Sequence, residues 1–579
     1  MCGIAGACNA GPDAEGLIAR MISILRHRGP DETGIYLDSR VALGHARLSI
    51  IGLASGTQPI SNEDESLWVV YNGEIFNYPE LRLGLEKRGH TFKTETDTEV
   101  LVHLYEEHGP EGLSLLNGQF AFAIWAPGKD ELFLARDRVG IRPLHYCQMG
   151  DKFLFASEIK ALFLDPSIPR EIDLQSLSQV FTLWTTLTPR TIFRGIHELP
   201  PGHYMLVQQG RIVRQEPFWS ISYYPEGSRW QGSFGEALEE LQRLLTDAIR
   251  IRLRADVPVG AYLSGGLDSS IITSLISGNF DNNLRTFSLS FSDPAFDETT
   301  YQQEMVRHLR TDHSQVPITN MDIRDHFPEV IRHCEKPLLR TAPVPMYLLS
   351  KLVRENNFKV VLTGEGADEV FGGYNIFKEA KVRAFWDRNP ESRFRPLLLE
   401  RLYPYIFKNP SRGRAYLQKF FAVTGNGSDD PLFSHRIRWN NSGKNNTFFS
   451  REVTGILGDY RMDEEITNQL PADFDKRDLL SRAQFLEMNI FMSNYLLSSQ
   501  GDRVAMANSL ELRVPFLDFR VIDFAMKLPP SWKVRVLKEK FILKEAFRGL
   551  IPESILSRPK HPYRAPIRDV FFGEGSGYA

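Results

Sequence analysis

The chain has 579 residues, a formal net charge of −4 and 42% hydrophobic residues; that length allows two or more domains with cores of their own. The charge balance offers no basic footprint for nucleic acid, and no apolar run is long enough to cross a bilayer. The start, MCGI, lacks the charged and apolar segments of a secretory signal, and the four cysteines (Cys2, Cys8, Cys147, Cys334) follow no disulfide or metal-ligand spacing, so a reducing cytoplasm is expected.

Residues 1–205 read as mixed α/β. Short, turn-bounded apolar runs predict strands at 67–71, 120–125, 131–135 and 152–156, and helical periodicity predicts helices at 14–25, 78–88 and 97–108. Strands following strands so closely argue for packed, largely antiparallel sheets with the helices outside. Removal of Met1 would leave Cys2 with a free α-amine, whose ordinary pKa of about 8 suits it as base for the cysteine's own thiol. RHRGPD (26–31) is a basic turn, and GHARLSI (44–50) brings Arg47 to where a guanidinium could fork onto a carboxylate. YNGEI (71–75) is expected to end its strand in a turn. There the Asn72 amide and the Gly73 N–H could form an oxyanion hole, with Glu74 facing a substrate ammonium. Asp97, opening a helix, is a second partner for that ammonium or else a plain N-cap.

In this order, MCGIAG, RHRGPD, GHARLSI and YNGEIFN resemble the N-terminal-nucleophile glutamine amidotransferases. The resemblance covers essentially the whole first domain. It implies an αββα sandwich in which Cys2 attacks the glutamine side-chain amide, releasing ammonia and leaving a glutamyl thioester. It also implies a glutamine pocket made by Arg47, Asn72, Gly73, Glu74 and Asp97, completed by backbone groups of Leu48, Ile50 and Ile51.

From 206 to 232 the chain is polar and turn-rich and reads as a linker, with a second domain over 233–579 that opens with an amphipathic helix at 235–254. VPVGAYLSGGLDSS (257–270) then reads as buried strand, glycine turn and helix start, an arrangement that gathers N–H groups and hydroxyls around an anion. It has no Walker lysine; Asp268 sits there instead, which suits a metal-bound pyrophosphate. SGGLDSS resembles the pyrophosphate loop of ATP pyrophosphatases, which cleave ATP between the α and β phosphates. Ser264, Gly265, Gly266, Asp268, Ser269 and Ser270 are its candidate contacts.

Strands at 284–291 and 359–363, alternating with helices at 299–309 and 346–355, predict a doubly wound parallel sheet with its ligand at the strands' carboxyl ends. Leu263 and Leu289, at two such ends, are candidate backbone contacts to adenine. TGEGADEVFGGY (363–374) adds Glu365, Asp368 and Glu369. Carboxylates beside a nucleotide can bind magnesium or move protons. Glu365 is placed to take a proton from an attacking amine, whereas Glu369 reads equally as a helix-capping acid. Lys560, between Pro559 and Pro562, could neutralise charge on a leaving pyrophosphate.

With ELRVPFLD (511–518) added, the whole chain resembles the glutamine-hydrolysing asparagine synthetases of the B type, least clearly from 380 to 480. The resemblance implies ATP with Mg2+, glutamine, and a carboxylate, typically the β-carboxylate of aspartate, reacting through an acyl-AMP. It further implies an internal ammonia tunnel and a homodimer. Carried over by motif, Glu365 is the base of the ammonia step, Asp502 its orienting neighbour, and Lys560 the residue that stabilises adenylation. Thr363 and Gly364 touch the nucleotide, and Asp268 and Asp368 are the candidate Mg2+ ligands. The β-lactam synthetases share the architecture but carry tyrosine in place of Glu365 and usually lack the N-terminal cysteine. Cys2 and Glu365 together favour ammonia over ring closure.

Two departures from the family pattern concern the acceptor. CEKPLLRTAPVP (334–345) contains Arg340, which with Asp368 is the candidate acceptor contact, and HPYRAP (561–566) adds Arg564. Such changes fit a branch that amidates another carboxylate, from a polysaccharide or secondary-metabolite pathway. A non-catalytic homologue or a bare glutaminase would not need Cys2, SGGLDSS, Glu365 and Lys560 together.

Overall fold

The computed structural model describes residues 2–280, 283–402, 414–422 and 427–572. The first twelve strands described are β1 (Cys2–Cys8), β2 (Glu32–Leu37), β3 (Val41–Arg47), β4 (Ile60–Ser61), β5 (Trp68–Ile75), β6 (Gly118–Ala126), β7 (Glu131–Arg136), β8 (His145–Met149), β9 (Lys152–Ala156), β10 (His197–Glu198), β11 (His203–Gln208) and β12 (Arg211–Pro217). They form two six-stranded antiparallel sheets, in the orders β10-β8-β9-β1-β3-β2 and β12-β11-β7-β6-β5-β4. Alternation along each strand sends side chains to two different cores. On β1, Ile4 and Cys8 meet Val70, Ala123 and Phe155 between the sheets, whereas Ala5 and Ala7 pack on Leu17, Ile18 and Met21 of the helix Ala14–Ile24. Tyr71, Phe120 and Phe122 face outward to Leu85, Val100 and Leu104 of the helices Tyr78–Glu86 and Glu99–His108. This is the expected αββα sandwich.

Three local expectations change. YNGEI is not a turn: β5 runs unbroken through it, in register with β6 from Trp68 opposite Trp125 to Ile75 opposite Gly118. Asn72 and Gly73 look like turn residues, but a glycine is needed because the Gln119 carbonyl fills the place of its Cβ. The helix expected from 97 starts at Glu99, leaving Asp97 in the preceding loop. The stretch read as a linker from 206 begins inside the hairpin β11–β12, which pairs with β7 at the sheet edge; its polar residues face outward from that edge strand.

The second half holds β13 (Val259–Tyr262), β14 (Arg285–Phe291), β15 (Asp312–Ile318), β16 (Val360–Leu362) and β17 (Glu511–Arg513), all parallel, in the order β15-β14-β13-β16-β17. Val360 and Leu362 join a core with Leu241, Ile271 and Ile522 on one face, and Val361 joins Leu349, Val353 and Leu512 on the other. Helices on both faces make the sheet doubly wound. Strand order reverses between β13 and β16, so a crevice opens beyond their carboxyl ends. The helix Pro343–Glu355 starts before the expected 346, since Pro343 occupies a first turn where its missing N–H costs nothing. Part of the least recognisable region packs on the first half, with Trp439, Ile466 and Phe474 against Leu183 and Leu187. Among the described residues, no helix is long and apolar enough to cross a membrane.

Candidate active sites

Cys2 opens β1, with its main-chain nitrogen 3.0 Å from Asn72 Oδ1. Burial pushes the Cys2 thiol up, against a backbone hydrogen bond at Leu48, so the sulfur waits as a neutral thiol. Asn72 is oriented by that contact, and its Nδ2 is buried with no hydrogen-bond partner. Leaving such a donor unpaired costs about 1–3 kcal/mol, which an oxyanion placed against it would relieve. Phe120, opposite Gly73, gives its main-chain groups to Asp137 at 2.7 and 3.2 Å. The Gly73 N–H therefore points away from β6.

Glu74 and Asp97 form an acidic pair. Glu74 Oε2 lies 3.2 Å from the Arg513 guanidinium of β17, while its Oε1 is buried without a partner. Asp97 accepts from the Tyr71 hydroxyl at 2.8 Å and the Ile75 N–H at 2.9 Å, so the N-cap reading is overturned. Burial, then the charge of Asp97, holds Glu74 well above the usual carboxylate range, and burial raises Asp97 to about 6. A ligand ammonium would relieve both.

Arg47 is not an open fork. It pairs with Glu32 at 2.9 Å and donates to the carbonyls of Ile51 and Gly52 at 3.2 and 2.7 Å. The Ile50 carbonyl likewise accepts the Asp256 N–H at 2.9 Å. The expected backbone partners are thus engaged within the protein, and a ligand carboxylate at Arg47 has to exchange with Glu32.

Arg28, which the sequence reading gave no role, joins the two halves. Fully buried, it donates to the Cys2 carbonyl at 3.1 Å, to Glu158 at 2.9 Å and to Asp502 at 3.2 Å, and Arg142 reaches the same Asp502 oxygen at 3.1 Å. Asp502 closes a π-wound segment whose N–H bonds skip five residues, Asp502 to Leu497 and Leu497 to Met492, both 2.8 Å. The expected role of Asp502 beside Glu365 is therefore corrected: its carboxylate is the buried counter-charge of two arginines across the interface. Arg28→Ala should destabilise the protein by about 3–5 kcal/mol, because Glu158 and Asp502 lose a buried cation. Urea denaturation of the variant checks this.

At the β13/β16 crevice, Ser264 donates its N–H to Ser269 Oγ at 3.1 Å, and the Gly266 N–H donates to Ser264 Oγ at 3.2 Å. Gly265 sits at φ +71, and the backbone of Tyr301 and Gln302 occupies the place of its Cβ. The helix Leu267–Asn279 follows directly, with Asp268 in its first turn and Ser270 buried. Gly364 packs so closely that a Cβ there would lie 2.9 Å from that of Asp268. Thr363, beside it, donates its N–H to the Arg513 carbonyl at 2.9 Å. The loops after β13 and β16 thus form one wall.

On that wall two aspartates and two lysines alternate. Lys540 Nζ lies 2.6 Å from both Asp268 and Asp368, and Lys560 Nζ lies 2.6 Å from Asp368 and 3.9 Å from Asp268. Burial alone would pull the Lys560 ammonium down, but Asp368 and Asp268 outweigh it and hold it up. Both carboxylates of the expected Mg2+ pair are bridged by lysines. Lys540 is a residue the sequence reading missed; it caps the helix Phe541–Ala546 from a left-handed backbone and nothing local marks it. Asp368 and Lys540 fill the place where Gly373 would carry a Cβ, which explains the second glycine of FGGY.

Glu365 is half-buried, with Oε2 unpartnered, and burial raises it to about 7 against the pull of its own backbone and Lys560. Glu369 is fully buried and accepts from the Tyr374 hydroxyl at 2.7 Å, which gives it a structural place rather than a cap at the surface. The Leu289 carbonyl accepts from Gln302 at 2.9 Å and the Leu263 N–H donates to the Phe287 carbonyl at 2.9 Å, so one backbone group at each expected adenine contact is engaged within the protein. Arg340 and Arg564 line one cavity of about 260 Å³ with Phe296 and Thr341. Arg340 stacks 4.9 Å over Trp184, and Tyr563, beside Arg564 in sequence, donates to the Ala342 carbonyl at 3.3 Å.

A family model described as asparagine synthase matches residues 240–578, and a glutamine amidotransferase domain model matches residues 1–219. The chain belongs to the asparagine synthase family. It is 33% identical over 576 residues to asparagine synthetase [glutamine-hydrolyzing] 1 of Bacillus subtilis (strain 168), covering 98% of this chain and 87% of the relative. It is 32% identical to synthetase 3 of the same strain, covering 94% and 83%. A third relative, Amidase chyE of Penicillium rubens, is 31% identical, covering 94% of this chain and 84% of its own length. As a member of the asparagine synthase family with an amidotransferase half, the chain is an ATP-dependent, glutamine-using ligase.

Proposed function

We propose that this enzyme converts aspartate to asparagine, taking nitrogen from glutamine and cleaving ATP to AMP and pyrophosphate. The observation that supports this most is the Asp268–Lys540–Asp368–Lys560 cluster beside Glu365, a carboxyl poised near neutrality. In the first half, Cys2 loses its proton to its own α-amine and its sulfur attacks the side-chain carbonyl of glutamine. Asn72 Nδ2 and the Gly73 N–H stabilise the oxyanion. The α-ammonium returns the thiol proton to the leaving nitrogen as the C–N bond breaks, ammonia leaves, and water releases glutamate from the thioester.

In the second half, an oxygen of the aspartate β-carboxylate attacks the α-phosphorus of ATP. The bond to the bridging oxygen breaks, and Lys540 and Lys560 balance the charge growing on pyrophosphate. Asp268 and Asp368 offer the oxygen donors that would hold Mg2+ arriving with ATP, an ion that neutralises phosphate charge when bound. Ammonia attacks the acyl-AMP, Glu365 accepts a proton, and AMP departs.

Glu365 must be ionised to act, and burial raises it to about 7. Where the Glu365 step limits turnover, the glutamine-dependent rate should therefore fall about tenfold per pH unit below 7 and level off above it. Glu365→Gln should lower the rate by about 10²–10⁴-fold and flatten that limb. A rate profile from pH 5.5 to 8.5, run on both proteins, checks this.

The assignment to aspartate is tested by pyrophosphate release with ATP, Mg2+ and glutamine, with and without aspartate, the product being identified by amino-acid analysis. Aspartate-dependent pyrophosphate matched by asparagine supports it; glutaminase activity without it sinks it. In that event a second reading, amidation of another carboxylate, is favoured by the cavity that holds both Arg340 and Arg564.

A further inference from the structure

Away from both sites, four side chains on the outer face of the first half converge. Glu63 follows β4, His90 follows the helix Tyr78–Glu86, and His103 and Glu106 lie one turn apart on the helix Glu99–His108. One nitrogen or oxygen from each lies within 4.8 Å of those of all the others. His103 is fully buried, yet neither of its ring nitrogens makes a hydrogen bond. Its Nδ1 nevertheless stands 3.2 Å from Glu63 and 4.0 Å from Glu106. His90 Nδ1 faces the same two carboxylates, hydrogen-bonded to Glu63 at 3.2 Å and 3.9 Å from Glu106. A buried imidazole this close to two carboxylates, but well directed at neither, aims its lone pair into the space they share.

The far nitrogens carry the complementary feature. His90 Nε2 is 3.1 Å from Glu107, and His103 Nε2 is 3.6 Å from the buried Glu99. At His103 a carboxylate beside Nε2 favours the ring proton there and leaves Nδ1 bare, the outer arrangement that histidine metal ligands use; at His90 an ion would replace the Nδ1 contact to Glu63. We propose that Glu63, His90, His103 and Glu106 bind one divalent transition-metal ion, with zinc the ion this donor set suits best. Two imidazoles and two carboxylates match its four-coordinate preference, and two imidazoles argue against magnesium or calcium. Zinc bonds of about 2.0–2.2 Å place tetrahedral ligand atoms about 3.3–3.5 Å apart, close to the spacings above. The nearby cations do not fill the space: Arg88 pairs with Glu107 at 2.9 Å, and Lys93 donates to the Asn62 carbonyl at 2.9 Å.

The ion would act by position. Glu99 also accepts the N–H groups of Lys93 and Thr94 at 2.7 Å each, so the cluster grips both ends of the loop 90–98 that carries Asp97 to the glutamine pocket. The full chain, carrying Cys2→Ala so that the nucleophilic thiol takes no zinc, is loaded with zinc chloride, desalted and analysed by inductively coupled plasma mass spectrometry. The expected result is about one zinc per chain and a higher melting temperature than without zinc. His90→Gln and Glu63→Gln, which change positions near the surface and keep the buried helix face, should each lose both effects. His333→Gln should keep them; it alters the other such His/Glu group among the described residues, where Arg28, Lys160 and Arg503 around Glu158 oppose a cation. Absence of retained zinc in the parent, or its full retention in His90→Gln and Glu63→Gln, overturns the proposal.

Discussion

Cys2→Ala is expected to lower glutamine-dependent synthesis by at least about 10³-fold while leaving ammonia-driven synthesis within about twofold of the parent. The loss is large because the sulfur is the only atom placed to form the thioester. The Asn72 and Gly73 donors and the Glu74–Asp97 pair remain, so glutamine should still bind. The ammonia arm is spared because the link from Cys2 towards the second half runs from its carbonyl through Arg28 to Asp502, and the variant retains that carbonyl. Product formation with glutamine and with ammonium chloride, measured side by side, decides it. Equal loss in both arms would mean that Cys2 supports the fold rather than the chemistry.

Lys560→Ala should lower pyrophosphate release by about 10²–10³-fold with glutaminase activity unchanged. Asp268 and Asp368 share two ammonium groups, and removing one leaves two carboxylates facing a polyphosphate with a single cation between them. That repulsion acts most on the state in which negative charge moves onto the leaving group. Lys540→Ala should behave alike, since Lys540 contacts the same two aspartates. Lys560→Arg should recover only part of the rate, because a planar guanidinium does not reproduce a compact charge set 2.6 Å from Asp368. Isotope-labelled pyrophosphate release separates these effects from the glutaminase step.

How far the sequence could be read follows from how local each feature is. SGGLDSS, TGEGADEVFGGY and the N-terminal cysteine each hold their chemistry within a few residues, and strand alternation is local by nature. Lys540 meets Asp268 across 272 residues, and Arg28 meets Asp502 across 474, with no period or motif joining them. YNGEI misleads because asparagine and glycine favour turns, whereas here the glycine serves the close approach of the Gln119 carbonyl. Arg47 was legible as a guanidinium at a strand edge, but its pairing with Glu32 depends on β2 lying beside β3. Asp502 was found by motif and misassigned in role, since only the packed interface supplies the arginines that claim it.

The proposed reaction turns on one intermediate, an acyl-AMP formed at the β13/β16 crevice. The measurement that tests it most directly is mass spectrometry of AMP from a reaction with aspartate labelled by 18O in its β-carboxylate. The mechanism predicts one 18O atom in the AMP formed, with none in pyrophosphate. AMP free of label, or label in inorganic phosphate accompanied by ADP, would contradict it.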